Sequence, residues 1–240
     1  RGGAVGLISQ SGAIAEEVIA SSHSLGIPLG AVVSVGNAMQ LGLLEYLQHL
    51  GADPACRVIL LYAESFGEEK RFQAAARVVA ARKPLVALVG GRNAPGRDAA
   101  LRHTGSRAMT GEQAEAFCRE AGMLRVTSLR DLMLAGKAFA SHPGGIGRRV
   151  LILSNSGGPG VLCTDRCADE GLLLPALPGP LATRLRSLYP PEAVVANPLD
   201  LLADAREERF GATLEAALQE GVGAFDAILM IHVVPFMVEA

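Results

Sequence analysis

Tryptophan is absent from the 240 residues, and only 4% of them are aromatic. No block of one charge sign stands out either: 22 Lys+Arg face 24 Asp+Glu, a formal charge of −2. A near-neutral chain without a basic block lacks the electrostatic footprint of a nucleic-acid binder. Long apolar runs are missing too. The best candidate, Ala227–Val238, falls short of the roughly 18 residues a membrane helix needs. It also contains His232 and Pro235, so no membrane span is expected. Cysteine is scarce: Cys56, Cys118, Cys163 and Cys167 form no metal-ligand spacing, and no metal site is expected. They read as small buried apolar side chains in a reducing, cytoplasmic compartment. What is plentiful is apolar content, at 50%, with 28 Gly and 13 Pro, and that excludes disorder. The length suits one large domain or two of roughly 100–150 residues.

The chain starts at Arg1, already in glycine-rich loop chemistry, and stops just after an apolar run. With no initiator Met, the expectation is a piece of a longer protein.

Short apolar runs alternate with amphipathic stretches, the signature of βαβ units around a parallel sheet. Ala4–Ser9, Ala31–Val35, Arg57–Ala63 and Pro84–Gly90 read as strands. Ala13–Leu25, Leu41–Leu50 and Glu68–Arg82 read as helices; Phe72, Ala75, Ala76 and Val79 give the last an apolar stripe. Helix Glu112–Ala121, strand Met123–Val126 and helix Leu129–Ala140, capped by Ser128, follow. Ser141-His-Pro-Gly-Gly-Ile-Gly147 can continue neither kind of element and marks a boundary. Beyond it come strand Arg149–Ser154, helix Val161–Glu170, strand Leu172–Pro175 and helix Pro180–Leu188. The turn Asn197-Pro-Leu-Asp200, helix Glu207–Glu220 and strand Ala227–Val233 complete the pattern. The fold class is α/β, with two flavodoxin-like doubly wound domains, 1–142 and 148–240, the second read as truncated.

The two domains open alike. Leu7-Ile-Ser-Gln-Ser-Gly-Ala13 and Ile152-Leu-Ser-Asn-Ser-Gly-Gly158 share the order strand, Ser, amide, Ser, Gly, helix. A helix N-terminus exposes unpaired N–H groups and about half a positive charge, which suits an anion. Ser11 and Ser156 can cap the helix or donate a hydroxyl, while Gly12, Gly157 and Gly158 let a phosphate approach the backbone. One such loop could equally be an ordinary capped turn. Two matched loops favour the anion reading, and two helix starts meeting at a domain junction would form a bipolar clamp. Neither loop carries Gly-x-Gly-x-x-Gly, and Gly-x-x-x-x-Gly-Lys-Ser/Thr occurs nowhere, so neither common nucleotide-binding loop is present.

Gly90–Arg107 reads as a long Gly/Arg-rich loop, with Arg92, Arg97, Arg102 and Arg107 around His103. An imidazole there could accept a phosphoryl group, or could simply be a surface histidine in a basic loop. Of the other histidines, His23 and His49 fall on helices, His142 in the linker and His232 inside an apolar strand, as a core residue. Glu64 directly follows a strand, at the carboxyl end where doubly wound folds place their sites. It could orient an imidazole and stabilise its cation, or, with Glu68 and Glu69, favour the next helix dipole.

Taken in order, these segments resemble a known set. Gly6–Ala13, Val33-Ser-Val-Gly-Asn37, Leu43-Leu-Glu-Tyr-Leu47, Leu60-Leu-Tyr-Ala-Glu64, Lys83-Pro-Leu-Val86, Gly91-Arg92, His103-Thr-Gly105, Asn155–Val161 and Asn197–Asp200 are similar to the ADP-forming acetyl-CoA synthetase family of acid–CoA ligases, relatives of succinyl-CoA synthetase. The resemblance implies the phosphohistidine at His103, its stabilising glutamate at Glu64, and phosphate-holding helix starts at Ser11-Gly12-Ala13 and Ser156-Gly157-Gly158. It implies CoA, phosphate, and ATP/ADP with Mg2+ as cofactors, the nucleotide bound mainly outside this chain. The partners implied are an acyl-CoA or small carboxylic acid, missing CoA-binding and ATP-grasp domains or a subunit, and homo-oligomer assembly. The loop around His103 is then expected to swing.

Two segments depart from the family pattern. Ala38-Met-Gln-Leu-Gly42 replaces an acidic stretch, and Ser106-Arg107 replace small apolar residues. The alternative is a regulatory acyl-CoA-binding module of a protein lysine acetyltransferase.

Overall fold

The structure, a computed structural model, describes residues 3–36, 41–104 and 108–234, with positions 103 and 104 given by their backbone alone. The sequence departures at 38–40 and 106–107 lie outside the described residues, as does Arg107. The chain divides into two compact units, residues 1–145 and 146–240.

In the first unit, strands β1 (Val5–Ser9), β2 (Leu29–Ser34), β3 (Val58–Ala63), β4 (Leu85–Val89) and β5 (Leu124–Val126) form one parallel sheet. Their order, β2-β1-β3-β4-β5, is that of flavodoxin-like doubly wound folds. Alternate side chains of each inner strand enter opposite cores, because the strand period is two. Ile59, Leu61 and Ala63 of β3 pack under α2 (Leu43–Ala52), α3 (Glu69–Ala80) and α5 (Gly111–Glu120). Val58 and Leu60 pack under α1 (Gly12–Leu25) and α6 (Leu129–Ser141). Both faces are covered, so β1 is buried at every residue and reads as one continuous apolar run.

Three aromatics anchor the first core: Phe66 lies with its ring centroid 4.9 Å from Phe72 and 4.6 Å from Phe117. At the opposite end, Lys83 Nζ donates to the carbonyls of Leu50, Asp53 and Cys56 at 3.1, 2.9 and 2.7 Å. One ammonium thus satisfies the orphan acceptors at and beyond the end of α2. Ser128 caps α6 as its sequence implies, accepting from Asp131 N.

The Gly/Arg-rich segment after β4 is not a long loop. Ala94–Thr104 forms helix α4. Its start has local causes: Asn93 Oδ1 accepts from Gly96 N at 2.9 Å, and Pro95 falls in the first turn, where its missing N–H costs nothing. Asp98-Ala-Ala-Leu101 then propagates it.

The second unit contains β6 (Val150–Ser154), α7 (Gly157–Asp169), α8 (Gly179–Leu188), β7 (Leu199–Asp200), α9 (Glu207–Glu220) and β8 (Ala227–Ile231). Among the described residues its strands are parallel in the order β7-β6-β8, so the first strand is again central. Leu151 and Leu153 pack against α8 and α9, and Ile152 against Cys167 of α7. Helix α7 begins four residues before the apolar Val161, directly after Ser156. Leu172–Pro175 is not a strand but a single bridge, Arg149 to Leu173, and Pro175 has no N–H to extend it. The Asn197–Asp200 turn instead contributes β7. His232 is exposed, not core: β8 ends at Ile231, and the imidazole stands edge-on to Phe210 at 5.5 Å. All four cysteines are free thiols, but Cys163 is only partly buried, against the expectation of four core thiols.

The start of β6 is pinned by Arg149, whose guanidinium and backbone N–H both donate to Asp226. Those bonds hold the Asp226 carboxyl down at about 2. Gly147 runs so close to this pair that a Cβ would sit 2.2 Å from Asp226 Cγ. That glycine is required by close approach.

Candidate functional site

The matched loops are matched in atomic detail. After β1, Ser9 Oγ donates to Ser11 O at 2.7 Å and accepts from Ser11 N at 3.1 Å. After β6, Ser154 Oγ donates to Ser156 O at 2.7 Å and accepts from Ser156 N at 3.1 Å. Val35 N donates to Ser9 O at 2.8 Å, and Leu201 N to Ser154 O at 2.7 Å. A buried serine therefore folds each loop back on itself and aims the following helix. The serine at the cap differs: Ser11 Oγ accepts from Ile14 N, whereas Ser156 makes no side-chain cap bond. Gly12, Ala13, Gly157 and Gly158 are exposed, and neither helix has an acid in its first turn. Each start turns the positive end of its dipole outward, and at α1 the Ile14 N–H is already taken by Ser11.

The amide between the serines does the same work in both units. Gln10 Oε1 accepts from Glu64 N at 2.6 Å and Ser65 N at 3.2 Å, while Nε2 donates to Ser65 O at 2.9 Å. Asn155 Oδ1 accepts from Val233 N and Nδ2 donates to Val233 O, both at 2.8 Å. Each amide stitches its loop to the segment leaving the neighbouring strand. The strands are in matching register, Ser9 opposite Tyr62 and Ser154 opposite Ile231. Glu64 and Val233, each two residues further on, are therefore equivalent positions.

Within this shared frame the chemistry diverges. The first unit places the buried carboxylate of Glu64 beside its strand-to-helix loop; the second places Val233 there. On the other flank, Ser34 is opposite Ser9 and Asp200 opposite Ser154. A Cβ on Gly157 would lie 3.5 Å from Asp200 Oδ2, so the second helix start already has a carboxylate near it. Sequence reasoning missed Asp200, because its position depends on which strand lies beside β6.

Glu64 itself is 7% exposed. Helix α3 begins at Glu69, so Glu68 and Glu69 occupy its start and Glu64 does not. Tyr62 Oη donates to Glu64 Oε1 at 3.1 Å. Burial first, and then the adjacent Glu64 charge, push the Tyr62 hydroxyl up to about 12, so it stays a protonated donor. Gly90 makes room for the pair: a Cβ there would come within 3.1 Å of Tyr62 Oη and 3.3 Å of Glu64 Cγ. The two side chains line a cavity of about 300 Å³ whose other wall is Gly91, Gly96, Ala99 and Ala100. Three of those wall residues lie on α4. Their spacing, 96, 99 and 100, continues along the helix to position 103. Sequence reasoning singled out Glu64 and His103 but not Tyr62 or Gln10.

The family described as succinyl-CoA ligase like flavodoxin domain matches residues 2–139, and the ligase-CoA domain matches residues 150–234. The alpha subunit of acetate–CoA ligase [ADP-forming] II from Pyrococcus furiosus is 35% identical over 97% of this chain and 50% of its own length. Acetate–CoA ligase [ADP-forming] from Methanocaldococcus jannaschii is 34% identical over 86% of this chain and 29% of its own length. The solved structure of Ca. Korarchaeum cryptofilum dinucleotide forming acetyl-coenzyme A synthetase 1 in complex with phosphate and ADP superposes with a TM-score of 0.87. It is 32% identical and covers 98% of this chain and 51% of that one. The chain thus spans about half the length of these relatives or less.

Proposed function

As the chain belongs to the succinyl-CoA ligase-like family that includes the ADP-forming acid–CoA ligases, we propose that it forms the phosphoryl-transfer part of such a ligase, with His103 as the phosphate carrier. One observation carries the assignment: the cavity under Glu64 is walled by the α4 stripe that leads, at helical spacing, to position 103. The relatives named above are ligases, which favours this over a regulatory module.

The chemistry follows from the groups present. Phosphate attacks the acyl-CoA carbonyl; a C–O bond forms, the C–S bond breaks, and the CoA thiol leaves. An imidazole nitrogen of His103 then attacks the phosphorus of the acyl phosphate. A P–N bond forms, the P–O bond to the acyl group breaks, and the acid departs as its carboxylate. ADP finally takes the phosphoryl group from nitrogen and becomes ATP, and the reverse order makes acyl-CoA. Glu64 orients the imidazole and stabilises the cation it becomes. The start of α1, with Ser11, Gly12 and Ala13, offsets the dianionic phosphoryl charge using fixed dipoles. Ser156, Gly157 and Gly158 provide a second start of the same kind, with Asp200 beside it.

Transfer to ADP requires the helix bearing His103, rather than a loop, to change position. Gly91, at φ +74°, lies three residues before it. The acid is a small carboxylate. CoA and ATP/ADP with Mg2+ are held mainly by CoA-binding and ATP-grasp domains or a subunit beyond this chain. The test is to incubate the full-length protein with γ-labelled ATP and Mg2+. Acid-labile phosphate is expected on the wild type and not on His103→Ala; label that survives the substitution overturns the assignment.

A further inference from the structure

We infer that Tyr62 is a positioning residue for phosphoryl transfer, acting through Glu64; the inference rests on the role proposed for that carboxylate. Tyr62 Oη donates to Glu64 Oε1 at 3.1 Å, which restrains the rotation of the carboxylate and with it the direction of Oε2. The backbone beneath is held separately, by Gln10 at Glu64 N and at both polar groups of Ser65. With the backbone held and one oxygen restrained, the carboxylate has few orientations open to it in the cavity it shares with the α4 wall.

The second unit supplies an internal control for whether the fold itself needs this hydroxyl. The serine fold-back and the amide stitch recur there with nearly the same distances. The residue in register with Tyr62 is Ile231, and that equivalent to Glu64 is Val233. The strand–loop–helix frame forms without either polar group. Tyrosine and glutamate occur together in one unit and are replaced together by apolar residues in the other. The hydroxyl accompanies the carboxylate, not the frame. Its protonation agrees with that role, since burial and the Glu64 charge keep it a donor well above neutral pH.

The test uses the full-length protein and the single-turnover rate of phosphate transfer from labelled ATP. Tyr62→Phe keeps ring and volume and removes one oxygen. The expected result is a rate lower by about 10-fold, with the ATP concentration for half-maximal rate unchanged, because misorienting one catalytic group affects the step and not nucleotide binding. In a Glu64→Gln background the same substitution should change the rate by less than about twofold, since the carboxylate through which it acts is gone. A Tyr62→Phe rate within about twofold of wild type overturns the inference, as does a loss of equal size in both backgrounds. If Glu64→Gln alone transfers phosphate at the wild-type rate, the role proposed for Glu64 fails and this inference falls with it. A slow Glu64→Gln with a normal Tyr62→Phe removes only the inference. Melting temperature, read alongside, should fall by only a few degrees in Tyr62→Phe, the cost of one hydrogen bond lost at a buried carboxylate, so that the variant is still folded at the assay temperature; Gln10→Glu, which keeps both accepted bonds, should retain more of the rate than Gln10→Leu.

Discussion

Gln10 and Glu64, 54 residues apart, are joined by a 2.6 Å hydrogen bond in which the Glu64 backbone N–H donates to the Gln10 side-chain carbonyl. The bond ties the loop that opens α1 to the segment carrying the candidate carboxylate. It turns sequence-distant residues into one unit, because β1 and β3 are sheet neighbours.

Replacing Gln10 by Leu strands Glu64 N, Ser65 N and Ser65 O away from their partner. A loss of about 1–3 kcal/mol is expected, since part-buried groups left unpaired cost their desolvation. Urea unfolding of the full-length protein measures it. Asn155→Leu removes the equivalent stitch at Val233 and should destabilise the second unit by a similar amount. A wild-type midpoint for both would show that the stitches carry no weight.

Lys83→Met should destabilise the first unit by about 1–3 kcal/mol, because one carbonyl in the last turn of α2 and two beyond it lose a charged donor. Hydrogen exchange should rise at the C-terminal turn of α2. Unchanged protection there would contradict this role for the lysine.

The Arg149–Asp226 pair predicts a pH dependence of known sign. The Asp226 carboxyl is held at about 2 by the Arg149 guanidinium and backbone N–H, below its ordinary 3.8. The stability it contributes is therefore present above 3.8 and is lost as pH falls through about 2. Asp226→Asn should melt below wild type at neutral pH, and the two curves should converge in that acid window. A difference that stays constant through it would exclude the linkage.

Thiol reactivity should follow burial. Cys56, Cys118 and Cys167 are buried and Cys163 is partly exposed. Burial also pushes the Cys118 thiol up to about 11, so little thiolate exists near neutrality. Iodoacetamide at neutral pH, followed by peptide mass mapping, should label Cys163 first. Early labelling of Cys118 would contradict the packing described.

The two strand–Ser–amide–Ser–Gly–helix loops are legible in the sequence because everything they need is local: an apolar run, a cap and a glycine. So is the doubly wound order of elements. Other features are not local. Nothing near Tyr62 says that its hydroxyl meets Glu64 while Gln10 holds the backbone beside it; that depends on β1 lying against β3. Asp200 is hidden for the same reason. The α4 misreading is of another kind. Glycine and arginine content suggested a loop, although Asn93 and Pro95 are ordinary helix-start signals and outweigh it. His232 looked buried because its neighbours are apolar, but it lies past the end of β8.

A pulse–chase on the phosphoenzyme tests the central claim most directly. The full-length protein is labelled from γ-labelled ATP, freed of nucleotide and divided. Label attached to His103 should leave completely as ATP when ADP is added, and as inorganic phosphate when acid and CoA are added together. Label that does not move to either acceptor, or that transfers equally well in His103→Ala, contradicts the account.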